Sequence, residues 1–185
     1  PGRSAVAALC AVNGMQYLDS PPPHGAQYTA YLAGELSRNT ANAVDICGSA
    51  VFAEDEVFYL DGYETQLCNL LSGEMKRISL VLDGRAAAIQ LKCAPRLSVR
   101  LPESPEEPPV IRVRAAVRCD EADAGKYVEA LRQDVASLLI KCQQWGADPV
   151  GFCERARMRV WTLMDWEALD WPELYRKAVF EIDIR

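Results

Sequence analysis

The sequence predicts an α+β fold, a mostly antiparallel sheet with one long and one shorter helix packed on one face. Three observations carry that prediction. From Arg77 onward, short runs alternate apolar and polar residues, the mark of half-buried strands. Two of these runs meet at Asp83-Gly84, the strongest short-range signal for a hairpin. Between Ala124 and Trp145, Val128, Leu131, Val135, Leu138, Leu139 and Cys142 recur at helical spacing and make one apolar stripe.

Taken in order, Ser4 to Val12 reads as a strand ended by the turn dipeptide Asn13-Gly14. After a proline-rich loop, Gln27 to Leu36 reads as its hairpin partner. A helix competes for this segment, because Tyr28, Tyr31, Leu32 and Leu36 also fit helical spacing. Polar Ser37 to Ala43 is a linker, so residues 1–43 form a hairpin-like segment and residues 44–185 the α+β domain. That domain opens with a strand over Val44 to Phe52, an acidic turn at Glu54-Asp55-Glu56 and a strand over Val57 to Tyr63. Glu64 to Leu71 is a short helix stopped by Ser72-Gly73. Strands follow at Arg77 to Leu82, Ala86 to Cys93 and Arg96 to Leu101. Four prolines between Pro102 and Pro109 forbid a ladder there and make a solvated loop. Val110 to Cys119 is one alternating strand whose arginine face points to solvent or to a partner.

Asp120 to Asp123 supplies N-cap candidates for the long helix. Asp148-Pro149 is expected to start the next helix, with a capping acid and proline in its first position. That helix would bury Phe152, Ala156 and Val160 and turn Glu154, Arg155, Arg157 and Arg159 outward. Met164 to Leu169 adds a helical turn, and Ala178 to Ile184 closes the sheet through Phe180, Ile182 and Ile184.

The composition excludes several functions. Net charge is −6, which argues against nucleic acid, since phosphate binding needs clustered Lys and Arg. Seven scattered cysteines form no Cys-x-x-Cys, and their odd number rules out a fully paired disulfide framework. Each lies in an apolar pattern and reads as a small core residue. The one histidine, His24, sits among prolines, so neither a zinc site nor a Ser-His or Cys-His pair is expected. No phosphate loop, dinucleotide fingerprint or nucleophile elbow is present, and no cofactor is expected. Glu103, Glu106 and Glu107, and Asp165, Glu167 and Asp170, read as solvated faces. No apolar run approaches the ~20 residues of a membrane span, so the chain itself is expected to be soluble.

The C-terminal forty residues carry a family resemblance. They read Gly146-Ala-Asp-Pro-Val-Gly-Phe152, a charged helix, Trp171-Pro-Glu-Leu-Tyr175, and a strand ending in Ile184-Arg185. Upstream stand Gly48-Ser-Ala-Val-Phe52, Leu60-Asp-Gly-Tyr63 and Glu64-Thr-Gln-Leu67. This order resembles the Ger(x)C (GerAC-like) spore germination lipoproteins, the C subunits of nutrient germinant receptors. In full-length members a long middle portion lies near Ser37 to Ala43, and it is lacking here. The resemblance implies a non-catalytic lipoprotein subunit, held at the spore inner membrane by an upstream lipid anchor beside integral-membrane receptor subunits. It assigns no catalytic, cofactor or metal residues. Trp166, Arg157 and Arg112 are the candidate partner contacts, because exposed Trp and Arg are frequent interface anchors. Two other functional classes stand beside this one: a small hydrolase or transferase using acidic residues, and a generic extracytoplasmic binding module.

Overall fold

The computed structural model describes residues 27–32, 46–53, 56–104 and 107–185. The expected strand at Ser4 to Val12, the His24 loop, the 37–43 linker and Glu54-Asp55 lie outside the described residues. The fold is α+β, with nine strands in three three-stranded sheets among the described residues, rich in antiparallel pairs.

The first sheet has the order β1 (Gln27–Leu32), β2 (Ile46–Ala53), β3 (Glu56–Asp61). Gln27–Leu32 is thus a strand rather than a helix, and it pairs antiparallel with β2 from Gln27↔Phe52 onward. Strand β3 ends two residues earlier than the alternation suggests, because Asp61 caps helix α1 (Gly62–Ser72). The Asp61 carboxylate accepts from the Glu64 N–H at 2.8 Å, and Glu64 reaches back to the Asp61 N–H at 3.0 Å. This reciprocal capping box satisfies two otherwise unpaired donors. Gly73, at φ +86°, ends the helix in the left-handed conformation that glycine adopts without strain.

The second sheet joins β4 (Arg77–Leu82), β5 (Arg85–Leu91) and β8 (Val117–Cys119). Asp83 and Gly84 both have positive φ, as the predicted two-residue hairpin requires. The third sheet joins β6 (Arg96–Arg100), β7 (Val110–Ala115) and β9 (Val179–Ile184). Residues 110–119 therefore form two strands and not one. The chain breaks at Ala116, whose carbonyl accepts from Lys92 N–H at 2.8 Å, and its two halves enter different sheets. Strand β9 runs parallel to β7. Parallel pairing needs a long crossover, and the intervening helices provide it.

Helix α2 (Ala124–Trp145) buries Tyr127, Leu131, Val135, Leu138, Leu139 and Cys142. Val128 is only half buried, and Tyr127 takes the inward place, its hydroxyl donating to the Arg85 carbonyl at 3.3 Å. After Gly146 the expected second helix starts late. Helix α3 covers only Phe152–Arg157, so Pro149 precedes it and Val160 lies beyond it. Asp148 nevertheless caps it as expected. Short helices α4 (Leu163–Glu167) and α5 (Trp171–Lys177) follow. Helix α5 was not anticipated from sequence, although Asp170 as its cap and Pro172 in its first turn are ordinary start signals.

Candidate interaction surface

The described surface divides into a well-braced interior side and one cationic side. Tyr63 donates to Asp134 at 2.6 Å and Lys141 to Glu64 at 2.6 Å, so α1 is fastened to α2. Trp145 stacks on Phe58 at 4.6 Å, with Lys141 lying 5.1 Å from its ring centre. Phe152, Tyr175, Phe180 and Trp171 form a continuous aromatic cluster with ring centres 6.0–6.4 Å apart.

Trp166 joins that cluster at its edge, 6.2 Å from Trp171, and is half buried. Trp161 behaves in the opposite way and is 99% exposed. One helical turn therefore separates a packing tryptophan from a free one, a distinction that spacing in the sequence could not draw.

Asp148 lies under this cluster. It is buried and accepts from the Gly151, Phe152 and Cys153 N–H groups at 3.0, 2.9 and 2.6 Å. Burial still holds its carboxyl above the usual range, because desolvation outweighs those bonds. Burial likewise pushes the Cys142 and Cys153 thiols up to about 12, and Cys68 well above its ordinary value. These three are protonated structural thiols rather than nucleophiles. Among the described residues no three His, Cys, Asp or Glu side chains converge as a metal site.

The cationic side is the outer face of the third sheet. The register aligns Arg96, Arg114 and Asp183 in one row, Ser98, Arg112 and Glu181 in the next, and Arg100, Val110 and Val179 in the third. Four arginines thus face two carboxylates. Arg112 pairs with Glu181, holding that carboxyl below its usual range, with Arg100 and Arg114 adding to the effect. At the β6 edge, Arg100, Arg112 and Arg159 line a shallow cavity of about 360 Å³. Of the candidates, Arg112 lies on this face, while Arg157 is exposed at the end of α3. Trp166 belongs to the aromatic cluster instead.

Among solved structures, the crystal structure of the GerBC protein matches all of this chain with a TM-score of 0.64 at 16% identity. The chain has a GerBC-like fold. At that identity the likeness is one of fold, and the chain spans 60% of the GerBC chain's length. No family model and no curated protein matches the sequence. Among the described residues no helix is long and apolar enough to cross a membrane.

Proposed function

We propose that this chain is a non-catalytic C-type subunit of a spore nutrient germinant receptor, acting through protein contacts beside the membrane. The observation that carries the reading is the GerBC-like fold over the whole chain, at a TM-score of 0.64. The sequence resemblance to the Ger(x)C lipoproteins rests on motifs alone and points the same way. An upstream lipid anchor would hold the domain at the spore inner membrane, next to integral-membrane receptor subunits.

The chemistry of the interior supports a contact role. Cys68 and Cys142 are buried and Cys153 half-buried, all three protonated thiols, and the raised carboxyl of Asp148 is engaged in capping a helix. The cavity beside β6 is lined by arginines rather than by convergent acids. A paired general acid and base would need the latter. Arg112, Arg157 and Trp166 are the proposed partner contacts, the first two by charge and the third by supporting the surface above it.

The test is made in spores of the source bacterium. Arg112→Glu and Arg157→Glu are expected to reduce co-purification of the receptor's membrane subunits and to slow nutrient germination. The thermal midpoint of the purified chain should stay nearly unchanged, because exposed charges contribute little to folding. His24→Ala should germinate normally. Normal receptor assembly with both reversals, or a germination defect from His24→Ala in a stably folded chain, would count against the proposal.

A further inference from the structure

We infer that residues 158–164, the turn between α3 and α4 with the first two residues of α4, insert their apolar side chains into an anionic phospholipid surface. The cationic face of the third sheet then lies against the headgroups. Met158, Trp161, Leu163 and Met164 are 84%, 99%, 59% and 78% exposed. A folded domain normally covers side chains of this size, and a cluster of them marks an interaction site. The turn is well held. Arg159 N–H bonds the Ala156 carbonyl at 2.9 Å, and Thr162 Oγ1 accepts from Asp165 N–H at 3.0 Å. Phe152 and Ala156, both fully buried, root it in the core. The apolar side chains are therefore presented outward by a fixed backbone.

Charge selects the occupant. Between Glu154 and Val160 three arginines stand against one glutamate, on a chain whose net charge is −6. Arg159 joins this turn to Arg100 and Arg112 across the shared cavity, so apolar tip and cationic face are continuous. The acids of this region, Asp165, Glu167 and Asp170, lie on the α4 side of the tip, away from that junction in sequence. A tryptophan with almost no protein cover, preceded by arginines, suits the interface between acyl chains and phosphates, where indole rings concentrate. A protein hot spot is usually a partly covered side chain that fills a pocket. This tip protrudes.

The inference deepens the proposed function, which holds the domain beside a bilayer. Its test uses the purified 185-residue chain and vesicles alone, so it can fail while the receptor reading stands, or the reverse. The chain should sediment with phosphatidylcholine vesicles containing phosphatidylglycerol, and Trp emission should shift to the blue. Pure phosphatidylcholine should bind it weakly, and salt should weaken binding to the anionic vesicles. Trp161→Ser should weaken binding about tenfold or more, as expected for lost burial of an indole. Arg100→Glu with Arg159→Glu should remove the preference for anionic lipid. Both variants should keep the parent thermal midpoint, since the altered side chains are exposed. No binding to the anionic vesicles at low salt would overturn the inference. So would unchanged binding by Trp161→Ser, or capture of the tip by a receptor subunit with no binding to vesicles.

Discussion

Burying a carboxyl is unfavourable unless its oxygens find donors, and Asp148 finds three backbone N–H groups at the start of α3. Asp148→Ala would take this partner from the Phe152 and Cys153 donors, while Gly151 N–H keeps the Asp148 backbone carbonyl at 3.3 Å. A cost of ~2–4 kcal/mol is expected in denaturant unfolding, since losing a cap and orphaning buried donors each cost ~1–2 kcal/mol or more. Its titration gives a further test. The folded carboxyl lies above its ordinary value of 3.8, so the unfolded chain gives up this proton first. Below pH 3.8 both states hold the proton and the contribution is at its most favourable. It falls as pH rises through that value towards the folded one. The stability of the parent relative to Asp148→Asn should therefore decline from acid towards neutral pH. A flat or rising difference would overturn this assignment. Effects from the lowered carboxyls of Glu129, Glu173 and Glu181 are common to both proteins and cancel. Beside Asp148, Phe152 is fully buried between Tyr175 and Phe180. Phe152→Ala should cost ~3–5 kcal/mol through the cavity it leaves, read as a lower denaturant midpoint.

At the scale of elements, the long helix α2 ties the molecule together. Its buried stripe meets the second and third sheets, while Gln143 donates to the Tyr175 and Ala178 carbonyls at 3.1 and 2.7 Å and so seats the end of α5. Leu138, 2% exposed, sits in the middle of that stripe. Leu138→Asp would bury an unpaired charge and is expected to prevent folding; a soluble, cooperatively melting variant would refute the placement of α2. The helix was legible from its periodicity over six turns of chain. Helix α3 was not, because Asp148-Pro149 looks like a helix start. The left-handed Gly151, at φ +81°, delays the helix to Phe152. The capping signal was right and the boundary wrong, since Asp148 caps from outside the helix rather than from its first turn.

At the scale of the whole molecule, β7 and α2 occupy the centre. Ile111, Val113, Leu131, Val135 and Leu139 are all 0% exposed. Strand β7 is paired on both edges. Opening either element would break the third sheet and uncover the core together. Amide exchange at Ile111, Val113 and Leu131 to Leu139 should therefore proceed only through global unfolding, with the slowest rates in the chain. Strand β4, which is paired on one edge, should exchange faster by local opening. Exchange at Ile111 as fast as at Val81 would show that the third sheet opens on its own.

The sequence by itself determined most of the strands and the long helix α2, because alternation and helical spacing are local properties of neighbouring side chains; α5 and the choice of strand over helix at Gln27–Leu32 were not among them. It also set the hairpin at Asp83-Gly84, the capping role of Asp148 and the inward faces of β7 and α2, all decided within a few residues. Tertiary structure alone decided that ten alternating residues, 110–119, divide at Ala116 between two sheets. It also decided that β9 lies parallel to β7, and that Trp166 packs while Trp161 does not. Those outcomes depend on which distant segment supplies the hydrogen bonds and cover, here Lys92, Arg185 and Trp171. The cationic face shows the same division. Arg96, Arg100, Arg112 and Arg114 are visible as separate alternating residues, but only the register of three strands, one of them distant in sequence, makes them one surface.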